Sequence, residues 1–377
     1  MSDAQLSPLP GRLVSLDAFR GFTIAAMMLV NNPGSWDYVL PPLRHAEWNG
    51  WTFTDLIFPF FLYIVGVAMV FSITRRLEKG ATRRSIYGKV VRRTLIIFAL
   101  GMFLNLFPQF DFAHVRIPGV LQRIAVCYFF AAIVMLHWGV RGQAMVAGGL
   151  LIVYWLLMKL VPVPGYGAGV LTPEGNLAAY IDRLVFGGHL WQGTKTWDPE
   201  GILSTLPAIS TTLFGALTGH WLRSGRDRRE IAAWMFVAGN LALVVGSIMN
   251  FWLPINKNLW TSSYSVYMSG VALNFLGVFY WLLDVKGYDR WAKPFVVWGM
   301  NAIAVYVFIG ILARVTIFTR FTLSDGRLVS LKTFLWETFY RSWAGPWLGS
   351  LLYALTYVGI SYLFVWALYR RRVFIRI

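Results

Sequence analysis

The sequence predicts an all-α, polytopic bundle of about ten transmembrane helices. Of its 377 residues, 57% are hydrophobic and only 14% are charged, whereas soluble domains carry roughly a quarter charged residues. Runs of about 18 to 25 mostly apolar residues recur along the chain, and each can cross a hydrocarbon core of roughly 30 Å. The lysines and arginines concentrate in short segments between these runs, as in multi-pass membrane proteins.

Polar or turn-forming residues bound each apolar run, and we expect the runs to form a single transmembrane domain over residues 1–377. The first run is long enough to remain in the membrane, and no cleavable signal precedes it. The third run is short, because basic residues extend up to its start. The predicted spans are 14–32, 51–74, 94–107, 119–137, 144–161, 201–222, 231–250, 262–284, 294–318 and 346–368.

The basic residues orient these spans. The segment 75–93, read as a loop, carries eight lysines and arginines against the single acid Glu78, so the positive-inside rule places it in the cytoplasm. Alternation then places both termini inside, anchored by the arginines at 370–372. The inside segments hold more than twice as many lysines and arginines as the outside segments. This distribution accounts for the net charge of +17 without nucleic acid as a partner.

One outside segment, 162–200, is long for a simple connection. It is rich in proline and glycine and carries Glu174, Asp182, Asp198 and Glu200. Structureless loops of this length are uncommon in compact domains, so we expect a periplasmic loop folded over the outer face. No internal repeat is evident, which counts modestly against the transporter folds built from two related halves.

Ionisable residues inside the spans are candidates for function, because they are costly in lipid and usually face the bundle interior. Asp17 and Arg20 share one face of the first helix, where they form an internal ion pair or, alternatively, Arg20 faces an anionic ligand. Asp55, in the first turn of the second helix, is explained by capping. Pro118 suits a first helical position, which puts Arg123 in the outer leaflet, where it needs a partner.

Among the five histidines, His45 stands apart. It precedes a polar and aromatic stretch, 46–55, that leads into the second helix, so it is a candidate catalytic residue. His137 and His220 lie beside tryptophans near cytoplasmic helix ends and are interpreted as interfacial anchors. No two histidines have metal-ligand spacing, and the lone Cys127 belongs to no Cys/His cluster, so we expect no metal.

Eight blocks of sequence occur along nearly the whole chain in the order of a known family. They are 12–21, 30–31, 45–50, 55–60, 115–123, 198–201, 254–260 and 299–301. Together they resemble the heparan-α-glucosaminide N-acetyltransferase family of transmembrane acyltransferases. The animal lysosomal enzyme has a large N-terminal luminal domain that this sequence lacks, so the chain resembles the shorter bacterial members. Its acceptor is therefore expected to differ from heparan sulfate.

The resemblance implies acetyl transfer from cytosolic acetyl-CoA to the amine of a glucosamine-type sugar on the far side of the membrane. It identifies His45 as the active-site histidine and Asn31 as the neighbouring active-site asparagine. It also implies a multi-pass protein of the bacterial inner membrane, with a homodimer as the expected state.

The chemistry of these residues suits such a reaction. Neutral His45 can act as a base near neutral pH, and the Asn31 amide can donate to the developing oxyanion. Direct transfer is preferred, and a covalent acetyl-histidine remains an alternative. The phosphates of coenzyme A need cations. The candidate residues for binding the cofactor are Arg20, Arg75, Arg76 and Arg123.

Three residues at the outer ends of the spans are candidates for binding the sugar: Asp198, Glu200 and Asn258. The alternative is that they only form turns and caps. Two other functions stay open on the sequence. One is a carrier for an amino sugar, in which the intramembrane carboxylates couple transport to ions. The other is an acyltransferase that modifies a hydroxyl group of a cell-wall polymer or polysaccharide.

Overall fold

The protein is described by a computed structural model over residues 13–323 and 325–375. The longer helices of these residues are Val14–Asn31 (α1), Phe53–Glu78 (α2), Arg83–Leu106 (α3), Val120–His137 (α4), Val140–Leu160 (α5), Thr205–Leu222 (α7), Arg228–Met249 (α8), Ser262–Tyr280 (α9), Ala302–Phe318 (α11) and Ser342–Arg370 (α13). The shorter helices are Leu177–Phe186 (α6), Lys293–Met300 (α10) and Leu331–Trp336 (α12). Two strands, Arg320–Thr322 (β1) and Leu328–Ser330 (β2), pair antiparallel.

The expected helical membrane bundle is confirmed in its main feature. Seven helical segments within the described residues are long and apolar enough to cross a membrane. The helices α10 and α11 form an eighth candidate if the pair, bent by 71°, counts as one span. The count of ten and the cytoplasmic position of both termini stay predictions. The β1–β2 hairpin is a small departure from an all-helical fold.

The expectation of a loop over 75–93 is wrong. Helix α2 continues to Glu78, and α3 already begins at Arg83. The turn between them contains Gly80, whose φ of +79° favours glycine, and Thr82, which caps α3. Arginine and lysine are good helix formers, so the helices extend past their apolar portions. Counting apolar residues shows where a helix leaves the lipid but not where the helix ends.

The span predicted over 294–318 is broken at Asn301, whose φ of −127° and ψ of 37° depart from a helix. Its buried amide binds the C-terminal segment: Nδ2 donates to the Val373 carbonyl at 3.1 Å, and Oδ1 accepts from the Ile375 N–H at 2.9 Å. These contacts compensate for the interrupted helix and fix the end of the described chain against the bundle.

Two pairs of helices approach so closely that a side chain would not fit between them. A Cβ atom on Gly21 of α1 would lie 1.7 Å from the Phe295 carbonyl of α10. A Cβ atom on Gly66 of α2 would lie 1.9 Å from the Thr212 carbonyl of α7. Small residues at such crossings are typical of membrane helices. These contacts pack α1 closely on α10 and α2 closely on α7.

A buried group of hydroxyl side chains joins α7 to α9. Thr211 and Ser265 hydrogen-bond through their side-chain oxygens at 2.8 Å, and the indole N–H of Trp260 donates to Thr211 at 3.2 Å. These polar groups are thus satisfied inside the bundle. Trp260 lies just before α9, next to the polar cluster described below.

The segment 162–200 is built around α6. Asn176 caps this helix by accepting from the Ala179 N–H at 2.8 Å. The first residues of α6, Leu177 and Ala178, pack with Tyr154 of α5 in one apolar cluster. The segment is therefore folded against the helix ends, and its location on the periplasmic side stays a prediction.

Candidate active site

His45 lies in the connection between α1 and α2, at the end of the bundle where α1 ends and α2 begins. The preceding turn, Pro41–Leu43, is tied to α2 because Thr54 Oγ1 donates to the Leu43 carbonyl at 2.7 Å. His45 Nδ1 lies 2.6 Å from Asp55 Oδ1. The His45 side chain is 45% exposed and that of Asp55 only 1%. The imidazole is therefore accessible, while its partner belongs to the interior.

Asp55 is surrounded by hydrogen-bond donors. Its Oδ2 atom accepts from the backbone N–H groups of Ala46 and Thr52, both at 3.0 Å. Thr52 Oγ1 also lies 3.2 Å from the same atom. An ionised carboxylate can only accept, so the shared proton is assigned to Nδ1 of His45. This tautomer leaves the lone pair of His45 Nε2 free, as a general base requires.

Lys257 completes the group around His45. It lies in the connection between α8 and α9, and its Nζ is 3.4 Å from His45 Nδ1. Burial lowers the pKa of Lys257 below its ordinary value, and the negative charges of Glu200 and Asp55 oppose that shift. The ammonium group therefore loses its proton more readily than that of a surface lysine.

The two connections that carry His45 and Lys257 are also joined through their backbones. The Gly50 N–H donates to the Ile255 carbonyl at 2.7 Å, and Asn256 Nδ2 donates to Asn49 Oδ1 at 3.2 Å. Gly50 has a φ of +91°, which favours glycine. These contacts hold the imidazole and the ammonium group in one site.

Asp198 and Glu200 converge on Arg116, which lies just before α4. Arg116 Nε donates to Asp198 Oδ2 at 2.8 Å and Nη2 to Asp198 Oδ1 at 2.6 Å, while Nη2 also contacts Glu200. Burial opposes the charge of Arg116, but the two carboxylates raise its pKa above the ordinary value. Burial also opposes ionisation of Glu200, but Arg116 holds the pKa of Glu200 below its usual range. Arg116 and Glu200 are therefore charged, and the two donor atoms of Arg116 hold Asp198 in a bidentate arrangement.

Arg123 is buried in α4, and only part of its guanidinium is satisfied. Its Nη2 donates to the Gly201 carbonyl at 2.9 Å and to Ser204 Oγ, and the group lies 5.3 Å from the ring centre of Trp260. Its Nε and Nη1 atoms have no hydrogen-bond partner among residues 13–323 and 325–375. Unpaired buried donors are costly and rare, so Arg123 is a candidate to bind an oxygen of a ligand.

Asp182 of α6 lies beside the same cluster. Its Oδ1 accepts from the Ile202 N–H at 2.9 Å, and its carboxylate packs so closely on Gly201 that a Cβ there would lie 1.9 Å away. Burial raises the pKa of Asp182 to about 7. The carboxyl group thus changes charge near neutral pH, next to the loop that binds Arg123.

Two of the predicted cofactor residues, Arg75 and Arg76, lie far from His45. They occupy the last turn of α2 and are exposed, whereas Asp55 is in the first turn. The helical rise places Asp55 and Arg75 roughly 30 Å apart along the axis, about the thickness of a hydrocarbon core. The two groups therefore stand at opposite ends of one span.

Arg20 is likewise not part of the His45 cluster. Its Nη1 donates to Asp17 Oδ1 at 3.0 Å and to the Gly299 carbonyl at 3.3 Å. The structure thus contains the ion pair that one of the two interpretations predicts. The Arg20 side chain remains 23% exposed, so a further contact with a ligand is sterically open.

Two amide side chains predicted to be functional lie at the His45 end. Asn31 is the last residue of α1 and is exposed. Asn258 follows Lys257 and is half-buried. Neither side-chain amide has a hydrogen-bond partner within the described part of the chain. Both amides are therefore free to bind a ligand.

Sequence reasoning missed the roles of Asp55, Lys257 and Arg116. A first-turn carboxylate predicts a cap, and Asp55 does cap α2, but the same carboxylate also holds His45. Lys257 and Arg116 are each the only lysine or arginine in their predicted outside segment. The available signal was a single lysine or arginine in an outer segment. The described residues hold no group of three histidine, cysteine or acidic side chains suited to a metal ion.

The sequence of this chain matches a known protein family. The profile described as heparan-alpha-glucosaminide N-acetyltransferase, catalytic, matches residues 12–248. The chain belongs to this family. The matched region contains His45 and Asp55 as well as Arg116, Arg123 and the two acidic residues that Arg116 binds. Lys257 lies just beyond its end.

Two curated relatives are members of the same family. Heparan-alpha-glucosaminide N-acetyltransferase of Homo sapiens is 34% identical over 365 aligned positions, which cover 80% of this chain and 53% of the human protein. The protein of the same name from Mus musculus is 32% identical over 354 positions, which cover 78% of this chain and 53% of the mouse protein. The chain thus spans about half the length of these relatives.

Proposed function

We propose that this protein is a membrane acetyltransferase that moves an acetyl group from cytosolic acetyl-CoA to the amine of a glucosamine-type sugar at the periplasmic face. The observation that carries the proposal is the pair formed by accessible His45 and buried Asp55. The two relatives are named for N-acetyl transfer to a glucosaminide, which supports the reaction class.

In the proposed reaction His45 Nε2 takes a proton from the acceptor amine as the nitrogen attacks the thioester carbonyl. The new C–N bond forms, the C–S bond breaks, and the imidazolium returns the proton to the departing thiolate of coenzyme A. Asp55 keeps Nδ1 protonated and stabilises the transient imidazolium, which is the role of the carboxylate in a hydrolase triad. Direct transfer needs no covalent intermediate on His45.

The negative charge that develops on the carbonyl oxygen needs donors. Asn31 is proposed as one, since its amide is exposed at the same end as His45. Lys257 adds a cation 3.4 Å from the imidazole. Arg123, with two unpaired donor atoms, is proposed to bind an oxygen of the acetyl-CoA arm. Preorganised donors of this kind are often the largest contribution to catalysis.

The nucleotide of acetyl-CoA is proposed to bind at the opposite end of the bundle. Arg75 and Arg76 are exposed there, and Arg20 keeps an exposed fraction beside its ion pair. Several phosphate charges cannot enter hydrocarbon unpaired, so the phosphates stay at this end while the uncharged pantetheine arm reaches toward His45. Multi-pass insertion in the bacterial inner membrane is part of the proposal, as is a homodimer.

The acceptor sugar is proposed to bind beside Arg116. The Glu200 side chain is 6% exposed and that of Asp198 is fully buried, so Asp198 acts on the sugar through Arg116. Asn258 has a free amide and is proposed to contact a sugar hydroxyl. The ion pairs of Arg116 with Asp198 and Glu200 order the outer segment that would surround the acceptor.

The test is a release assay for free coenzyme A on purified protein, run across a panel of amino sugars. We expect release that depends on an amino sugar, with mass spectrometry locating the acetyl group on nitrogen. A matched control is available in the exposed pair of His114 and Asp111, at 2.9 Å. Substituting His114→Ala should leave activity unchanged, whereas His45→Ala should lower it about a thousandfold.

Two outcomes would contradict the proposal. Acetylation of a hydroxyl group, with amines ignored, would make the protein an O-acetyltransferase. Accumulation of labelled sugar in proteoliposomes without acetyl-CoA, and without release of coenzyme A, would make it a carrier.

A further inference from the structure

A cavity of about 600 Å³ lies between α7, α8 and α9, separate from the His45 cluster. Its walls are formed mainly by Phe214 and Leu217 of α7, Ala238 and Ala242 of α8, and Leu273 of α9. The volume is within the range of cavities that bind small molecules. The two alanines leave the gap open, because larger side chains on that face of α8 would fill it.

The cavity opens toward the surface of the bundle along α8. Ala238 is exposed although it lines the cavity, and Trp234 at its edge is 52% exposed. Only 28% of the residues in the most apolar stretch of α8 are buried, so most of this helix faces outward. In a bilayer that surface meets acyl chains, and the cavity is therefore accessible from the lipid.

The hydroxyl groups in the cavity wall already have hydrogen-bond partners. Tyr63 and Thr218 hydrogen-bond to each other at 2.5 Å, and Ser269 Oγ donates to the Ser265 carbonyl at 2.7 Å. An occupant would find these hydroxyl groups already engaged along the middle of the wall, and leaving its own polar groups unpaired there is costly. This mostly apolar wall suits a hydrocarbon chain better than the amide-containing pantetheine arm.

One end of the cavity is charged. Arg226, in the connection between α7 and α8, lines the cavity and lies 5.1 Å from the ring centre of Trp221. It pairs with Glu230 at 2.5 Å, yet its side chain is still 54% exposed. Residues 223–230 hold four arginines against two acidic residues. Basic groups at a membrane surface attract anionic lipid headgroups.

We propose that this cavity holds one acyl chain of an anionic phospholipid whose phosphate binds at Arg226. The occupant is not the sugar acceptor, because Arg226 follows the end of α7 opposite to Ser204, which contacts Arg123 in the His45 cluster. The lipid would act as a structural ligand that fills the gap between α7 and α8. The inference is independent of the proposed acetyl transfer.

Native mass spectrometry of delipidated protein in detergent tests the proposal, with dioleoylphosphatidylglycerol and dioleoylphosphatidylcholine as probes. We expect one retained lipid per chain and a roughly fivefold preference for the anionic probe, as one arginine near a headgroup provides. Arg226→Gln should remove the preference. Ala242→Trp should remove lipid retention by filling the cavity.

A second variant guards against misfolding. Ala238→Phe fills the cavity from an exposed position of α8. Ala233→Trp, at an exposed position of the same helix outside the cavity, is the control. Thermal unfolding checks that each variant folds. If Ala242→Trp and Ala238→Phe both retain the lipid as the wild type does, the cavity is not the lipid site. Equal binding of both probes would overturn the role of Arg226, and displacement of the lipid by acetyl-CoA would assign the cavity to the cofactor.

Discussion

At the His45 end of the bundle the carboxylates of Asp55 and Asp198 are buried and paired, whereas at the other end of α2 the arginines are exposed. Asp55 and Asp198 each accept several hydrogen bonds and are almost wholly inaccessible. Arg75 and Arg76 lie in the last turn of the same helix that Asp55 begins, and both are exposed. One helix thus carries a preorganised charge at one end and solvated charges at the other.

This difference assigns separate tasks to the two ends. Buried, fully bonded groups hold their geometry without further reorganisation, which is what a chemical step requires. Exposed arginines bind phosphate through weak, screened contacts that release it easily. We therefore expect substitutions at the His45 end to lower activity strongly and substitutions at the Arg75 end to lower it weakly.

The largest effect is expected for His45→Ala. Removing the general base should lower the turnover number about a thousandfold, while the helix ends around it stay packed. Release of coenzyme A measures turnover, and isothermal titration measures binding of acetyl-CoA, which should be retained. Near-normal turnover in this variant would remove His45 from the reaction.

A smaller loss is expected for Asp55→Asn, because the imidazole stays in place but loses its negatively charged partner. Turnover should fall about a hundredfold, as when the carboxylate partner of a metal-binding histidine is removed. The change also weakens the α2 cap, so Thr52→Ala is the matched control, since it removes a capping hydroxyl and leaves the carboxylate on His45. If both variants lose activity equally, Asp55 acts only on the helix.

Lys257→Met should lower turnover about tenfold by removing one charge-assisted contact to the oxyanion. The ammonium form is the active one, and its pKa is lowered by burial. The wild-type rate should therefore decline at a less alkaline pH than an ordinary lysine would dictate. Lys257→Arg keeps the charge and should move this decline to higher pH, as pH–rate profiles would reveal. An unchanged alkaline profile in the arginine variant would exclude the role.

The smallest effects on activity are expected for Arg75 and Arg76, in the last turn of α2. Arg75→Gln or Arg76→Gln should raise KM for acetyl-CoA about threefold without changing turnover, since an exposed ionic contact is weak. The effect should shrink as salt increases. Arg370→Gln, also near the end of a helix, is the control. A hundredfold loss of turnover in either variant would contradict the division between the two ends.

The sequence predicted the parts of this molecule that depend on local pattern. Apolar runs predicted most of the helices, and the polar approach to the second helix singled out His45. The sequence did not predict the break at Asn301, because the contacts that compensate for it come from Val373 and Ile375, more than seventy residues away. For the same reason it could not place Lys257 beside His45, since their connections meet only in the folded bundle.

The most direct test of the central claim is transfer across a sealed membrane. Purified protein is reconstituted into proteoliposomes, and a cysteine that replaces the exposed Lys79 reports its orientation through an impermeant label. Acetyl-CoA is supplied on the side of position 79, and an amino sugar only on the other side. The account predicts N-acetylated sugar in the sugar compartment and free coenzyme A in the other. Product that forms only when both substrates share one compartment would contradict it.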